Sequence, residues 1–410
     1  MMRTQIDTVL VFALAIPMVT RAAAVDDGAV VATHGMRSTV SHLAGNGLRG
    51  RDNDTPASLR AQRYLIRRLR RLGNPLQTGD RGNDETYTQH FTFGAPAQAG
   101  TNLLAVIPGT DLANEYVIVG GHYDHLDTRS DATGHCRAAG TPGGAVCNGA
   151  TDNATGTAAV LAIGRALRAL PTPPRRSVIL ALWDAEEDGL QGSRYYVANP
   201  LVSIAKTVAY VNFDILGATL LPTMRNISFG VGAETGGAVL QGIVQAAIGA
   251  QTLDLPALTY LFGQLRSDYA SFIGAGVSTV FFSDSTGGCY HTTGDDLAVV
   301  NFPKLRQQSA VAFRVMHALA NQTTSPTFAP PGPAAVYADA QSIAHVLALG
   351  VGDRQYLSAA DVATVEQIKT TIDGIVAEGP AAFDDADVST VLGSAATLIG
   401  ALTRVPCQAF

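Results

Sequence analysis

The sequence predicts an α/β protein whose helices cover a largely parallel central sheet. Runs of strand length alternate with helical stretches, and histidines and carboxylates cluster directly after several of the strand runs. Alternation of strands and helices builds a layered sheet with helices packed against it. In such sheets ligands gather beyond the carboxyl ends of the strands. The polar clusters therefore fall where the fold would provide a crevice.

Taken in order, Ser38–Gly73 has helical spacing, broken by a Gly-rich turn at Gly45–Arg51. Tyr87–Phe93 is rich in aromatic residues and threonine, and Asn102–Ile107 is apolar; both suit strands. Tyr116–Gly120, Ser177–Leu182, Thr207–Phe213 and Thr279–Phe282 are β-branched or aromatic runs of strand length. The clearest helix is Asn153–Leu170, with small and apolar residues at helical spacing and a stop at Pro171. Gly236–Gly249 is another. These elements belong to a main domain over residues 25–325. A Pro-rich linker follows at 326–333, and residues 334–410 read as short helices, such as Ala360–Glu378, forming a small C-terminal extension.

The composition is that of a soluble globular chain: 410 residues, 47% hydrophobic and 15% charged. At the N-terminus, Arg3 precedes an apolar run from Val9 to Val19, and Ala22-Ala23-Ala24 offers a small-residue cleavage site. This reads as a signal peptide over residues 1–24, so the chain is expected to be secreted or periplasmic. No later segment reaches 18 uninterrupted apolar residues, and no membrane span is predicted. The net charge is -6, or about -7 without residues 1–24, which argues against nucleic-acid binding. The one basic cluster, Arg63, Arg67, Arg68, Arg70 and Arg71, alternates with Leu65, Leu69 and Leu72, as on an amphipathic helix with a solvated basic face. A monomer is expected.

Five short segments carry the chemistry: His122-Tyr123-Asp124-His125, Asn148 to Gly156 around Asp152, Trp183 to Glu187, Asn212-Phe213-Asp214, and Cys289 to Asp295 around His291. Each has a plainer reading alone. Asp152 before a helix could be an N-cap, Glu186-Glu187 a solvated helix start, and Asp214 a turn residue. Their number and shared place at strand ends carry the argument. Acidic and imidazole groups converging on one crevice would desolvate and repel each other without cations. A metal pair resolves that conflict. Imidazole and carboxylate without thiolate suit zinc or a neighbouring transition metal. Two metals sharing a carboxylate lower the pKa of water, and a carboxylate that is not a ligand can take the proton. Glu186 and Glu187 could divide the roles of base and ligand.

These segments, with the turn Leu48-Arg49-Gly50-Arg51, the run Asn102–Gly109 and the run Gly189-Leu190-Gln191-Gly192-Ser193, resemble metallopeptidase family 28, the di-zinc aminopeptidases, from about Ser38 to about Leu305. The resemblance implies a three-layer α/β/α sandwich around a mixed, mainly parallel sheet. It implies two zinc ions per chain, one bound by His122 and Asp214, the other by Glu187 and His291, with Asp152 bridging. Glu186 would be the general base, Asp124 the carboxylate orienting the His122 ring, and Tyr290 the hydroxyl that stabilises the oxyanion. The substrates would be peptides with a free N-terminus, the α-amine held by Glu186 and Asp214. Relatives hold the bond after the bridging aspartate in the cis form, so Asp152–Asn153 is expected to be cis. A glutaminyl cyclase, on the same scaffold with one working zinc, is the alternative function. Two departures bear on substrate preference: Ser267-Asp268-Tyr269 stands where many relatives have Ser-Asp-His, and the loop from His125 to Asn148 is longer. Tyr260, Phe262 and Phe272 are candidates for an apolar subsite, though equally good as core residues.

Four cysteines, Cys136, Cys147, Cys289 and Cys407, in an exported chain suggest two disulfides, and four allow three pairings. Cys136 and Cys147 lie close together in one loop and would close a short ring at low entropic cost. That leaves Cys289 with Cys407, a bond that would anchor the tail beside His291.

Overall fold

The computed structural model describes residues 33–128, 136–139, 146–248, 253–329, 332 and 334–410. The signal-peptide segment, most of the loop between Thr128 and Val146 and part of the Pro-rich linker lie outside them.

A nine-stranded sheet runs through the molecule. Its strands are β1 Asn74–Pro75, β2 Thr88–Phe93, β3 Gln98–Ile107, β4 Leu112–His122, β5 Arg176–Trp183, β6 Thr207–Phe213, β7 Phe229–Val231, β8 Ala257–Leu258 and β9 Thr279–Ser283. The order is β1-β3-β5-β4-β6-β9-β7-β8, with β2 also pairing β3. The centre, β5-β4-β6-β9, is parallel, whereas β3 and β7 join it antiparallel. The helices are α1 Thr33–Leu43, α2 Pro56–Leu72, α3 Thr155–Arg168, α4 Gln191–Ala198, α5 Gly237–Ile248, α6 Tyr269–Gly274, α7 Phe302–Asn321, α8 Tyr337–Gly350, α9 Ala359–Glu378 and α10 Asp385–Thr403.

This is the mixed three-layer sandwich that the family resemblance implies. Strand β5 explains why it is layered on both sides. Val178, Leu180 and Leu182 enter one hydrophobic cluster, and Ile179, Ala181 and Trp183 enter the other. A strand buried on both faces reads as a continuous apolar run. The first cluster packs α1, α2, α3, α5 and α7 on one face. The second holds the short helices α4 and α6 together with α8, α9 and α10. The C-terminal helices thus thicken an otherwise thin layer. They run to 14, 20 and 19 residues, and the second, Ala359–Glu378, is the helix that the sequence reads as Ala360–Glu378. Among the described residues, α10 alone is long and apolar enough by length and composition to cross a membrane. Here it turns Val391, Ala395 and Ala401 into the protein.

Helix α2 buries Leu65, Leu69 and Leu72 and leaves Arg63, Arg67 and Arg71 exposed, the amphipathic pattern its sequence carries. Helix α7 has start signals of its own: Asn301 accepts from the Lys304 N–H, and a proline stands in the first turn.

Candidate metal centre and active site

All five proposed ligands stand at or just beyond the carboxyl ends of the parallel strands. His122 is the last residue of β4, Glu186 and Glu187 follow β5, Asp214 follows β6, and His291 lies on the loop after β9. Asp152 sits in the turn that enters α3. Ala185, Ile215 and His291 all have positive φ. Two flank site residues and the third is one itself. Left-handed backbone costs a non-glycine residue about 1–3 kcal/mol and tends to collect at functional sites. Chain direction is being bent there to aim side chains inward.

The side chains form two histidine–carboxylate clusters joined by Asp152. His122 Nε2 lies 3.3 Å from Asp152 Oδ1 and 3.3 Å from Asp214 Oδ1. His291 Nε2 lies 2.9 Å from Glu187 Oε2 and 3.4 Å from Asp152 Oδ2. Glu186 stands apart, 3.9 Å from His122 Nε2. The plainer readings of these residues fail. Asp152 makes no capping bond to α3, whose N-cap is Ala154. Glu186 and Asp214 are buried, so neither is a solvated helix start or an exposed turn residue. The Asp152–Asn153 bond is cis, as expected.

The carboxylates and imidazoles of the clusters are strongly coupled. Burial alone would lower His122, but Glu186 and Asp214 outweigh it and hold the imidazole well above its usual range. His291 is pushed up to about 10, as Glu187 and Asp152 overcome burial. Burial also works to raise Asp152 and Glu187. The facing histidines reverse that and hold Asp152 well below the carboxylate range and Glu187 at about 2. His291 Nε2 is also buried with no hydrogen bond, despite its two close carboxylates. A buried nitrogen without a partner, facing oxygens, is where a cation belongs. The donor set, imidazole and carboxylate without a free thiol, fits zinc.

The match to the model of peptidase family M28 spans residues 102–316, just over half of the chain, and takes in all five proposed ligands. The chain belongs to this family. Leupeptin-inactivating enzyme 1 of Streptomyces exfoliatus is 28% identical over 258 residues, covering 55% of this chain and 50% of that protein. An aminopeptidase of Pseudomonas aeruginosa is 31% identical over 195 residues, covering 40% of this chain and 35% of its own. The chain therefore spans half or less of the curated relatives it is compared with here. Among solved structures, the Legionella pneumophila LapA aminopeptidase superposes with a TM-score of 0.56 at 17% identity, covering 73% of this chain and 74% of that one. That likeness is one of fold.

Within this M28 site, Asp124 and Tyr290 are close to where the sequence puts them. Asp124 Oδ1 lies 3.5 Å from His122 Nδ1, beyond a strong hydrogen bond. Its other oxygen accepts from the Glu187 N–H at 3.1 Å. It thus ties the two clusters together through the backbone as well as flanking the ring. The Tyr290 ring stacks on His291 at 3.8 Å between centroids, and its hydroxyl accepts from Arg266 at 3.0 Å.

Three residues that the quoted segments contain gain their roles only in three dimensions. His125 is fully buried, and its Nδ1 lies 2.7 Å from Glu187 Oε1, within a possible ligand group with Asp152. Its place in His122-Tyr123-Asp124-His125 was the only signal in the sequence. Asp295 accepts from the Thr151 and Asp152 N–H groups at 2.9 and 3.0 Å, fixing the turn that carries the shared aspartate. Arg51 is buried and donates to the carbonyls of Leu43, Tyr123, Asn148 and Gly149, bracing the base of two ligand loops. Its neighbour Gly50, at φ 82°, could not carry a Cβ, which would meet the Leu126 carbonyl at 2.1 Å.

The aromatic candidates resolve separately. Phe262 lines the pocket beside the carboxylates, whereas Phe272 stacks on Tyr210 in the core at 4.0 Å. The Tyr260 N–H donates to Glu234. At the position where many relatives have histidine, Tyr269 is buried against Phe281 and donates to the Tyr260 carbonyl. Cys136 pairs with Cys147 and Cys289 with Cys407.

Proposed function

We propose that this chain is a secreted, two-zinc aminopeptidase that hydrolyses the N-terminal peptide bond of peptides, with Glu186 as general base. The observation that carries the reading is the pair of clusters sharing Asp152, with a buried carboxylate beside them that belongs to neither. His122 and Asp214 would hold one zinc, Glu187 and His291 the other, and Asp152 both. His125, bonded to Glu187 through Nδ1, would orient that ligand. Bound zinc supplies Lewis acidity and makes water more acidic.

The chain's own groups do the rest. Burial, with Asp214 and Glu187 nearby, raises the proton affinity of Glu186 even against the pull of His122. A carboxylate of that kind can take a proton from water and return it to the leaving amine. Tyr290, whose oxygen already accepts from Arg266, keeps its own proton to donate to an oxyanion. Membership of a peptidase family and the identity to a named aminopeptidase support the activity. The two disulfides support an oxidising compartment.

Glu186→Gln tests the reading. Turnover of leucine 4-nitroanilide should fall on the order of 10²- to 10⁴-fold, while zinc content by atomic emission stays at the wild-type level. Near wild-type turnover, or an emptied site, refutes the assigned role. A glutaminyl peptide run beside the anilide separates this activity from glutaminyl cyclisation.

A further inference from the structure

The pocket that opens on the carboxylates extends away from them and is walled mostly by apolar side chains. Part of that wall comes from the sheet edge and its loops, including Phe229, Leu258 and Phe281. The rest comes from Ile343 of α8 and from Leu398 and Leu402 of α10. These helices lie wholly outside residues 102–316, the region shared with the family. They are also fixed in place. The Cys289–Cys407 bond joins the segment after α10 to the loop that carries Tyr290 and His291. The Arg225 guanidinium donates to the Phe410 carbonyl at 2.9 Å.

We propose that the C-terminal extension is part of the substrate site, and that α8 and α10 complete a pocket for a large apolar side chain, that of an N-terminal leucine or phenylalanine. The inference rests on the aminopeptidase reading for the position of the substrate, and on the pocket itself for its chemistry. Glu186 and Asp214 at one end suit an ammonium group. Away from those carboxylates the wall is mostly apolar, with Gln264, Arg266 and the hydroxyls of Ser283, Ser285 and Thr286 among its polar groups; among the described residues it holds no carboxylate for a lysine ammonium, which would be costly to bury unpaired. The cavity volume is about 130 Å³. That volume includes the carboxylate end; since an apolar cavity of about 150 Å³ accepts a benzene ring, the pocket holds at most one side chain of isobutyl to phenyl size.

The test uses the full chain loaded with zinc, and two readouts. The first is kcat/KM on the 4-nitroanilides of leucine, phenylalanine, alanine and lysine. The second is calorimetric binding of free leucine and alanine, which needs no turnover. Leucine buries three more carbons than alanine, each worth a factor of about 4, so leucine should be favoured on the order of 50-fold in both. Ala395→Leu adds the same three carbons from the α10 wall. It should cut the leucine rate and leucine binding by a similar factor while leaving alanine within about 3-fold. Leu402→Ala, which opens the same wall, covers the case in which the larger residue prevents folding, and should shift preference from leucine toward phenylalanine. A wild-type leucine-to-alanine ratio below about 3 in both readouts, or folded variants with unchanged ratios, overturns the proposal. If no anilide is cleaved yet leucine binding is preferred and weakened by Ala395→Leu, the pocket stands and the aminopeptidase reading falls.

Discussion

Removing the Cys289–Cys407 bond by Cys407→Ser should destabilise the protein more than opening the other disulfide. The bond spans 118 residues, against 11 for Cys136–Cys147. In the chain-entropy model a closed loop of that length stabilises by about 4.9 kcal/mol, and the shorter ring by about 2.7 kcal/mol. Unfolding entropy near 2.1 cal/mol/K per residue, over roughly 380 residues, turns these into falls in Tm of about 6 °C and about 3 °C. Scanning calorimetry of Cys407→Ser and Cys136→Ser beside wild type measures both. The longer bond has a second consequence. It holds α10, whose residues wall the pocket, to the loop that carries Tyr290 and His291. Cys407→Ser should therefore lower leucine turnover and narrow the leucine-to-alanine ratio while zinc content stays unchanged. A Tm within 1 °C of wild type by this logic means the tail is held by packing alone. A normal preference in a destabilised variant means the tether does not shape the pocket.

Other perturbations separate roles that geometry alone assigns. Glu187→Ala and His291→Ala should each lower zinc content from about two ions per chain toward one. His125→Gln should keep both ions and weaken the second several-fold, as the loss of a ligand's hydrogen-bond partner does; loss of a full equivalent would make His125 the ligand instead. A strong chelator should abolish turnover, and zinc should restore it. Burial raises Glu234 to about 7, against the Tyr260 N–H that it accepts from. Because the folded pKa is the higher one, the protonated form stabilises the fold below about pH 4.5, and that contribution is lost as pH rises through about 7. Glu234→Gln should therefore flatten the fall in Tm between pH 5 and 8; an unchanged slope would put that pH dependence elsewhere.

Much of the fold, and most of the residues that meet in the candidate site, can be read from the sequence, and for related reasons. Strands β4, β5 and β6 are buried on both faces, so their β-branched and apolar residues run together and stand out. His122, Glu186, Glu187 and Asp214 end or closely follow those strands, so finding the strand finds them, whereas Asp152 and His291 stand on turns farther along the chain. Strands β7 and β8 give no such signal. They are three and two residues long, and their pairing comes from neighbours such as Ser283 opposite Phe229. A run that short has no period to detect. Arg51 and Asp295 stand in segments that the sequence singles out, but their roles do not show there. Their partners are backbone groups far along the chain, at Asn148, Gly149, Thr151 and Asp152, and only folding brings them together.

The same contrast explains why the chemistry was easier to read than the specificity. Metal ligation and proton transfer need particular atoms at short range, and few residue types supply them. An apolar wall needs only volume and the absence of unpaired polar groups. In sequence, Leu398 and Leu402 are indistinguishable from the residues that pack any helix against a core. What marks them is position: α10 lies beyond the region shared with the family and is held beside the loop of Tyr290 and His291 by a disulfide from its following segment. An extension of this kind can change freely without disturbing a ligand, because no ligand rests on it. On the proposed reading, His122, Asp152, Glu186, Glu187, Asp214 and His291 can therefore stay fixed while the pocket is reshaped from outside.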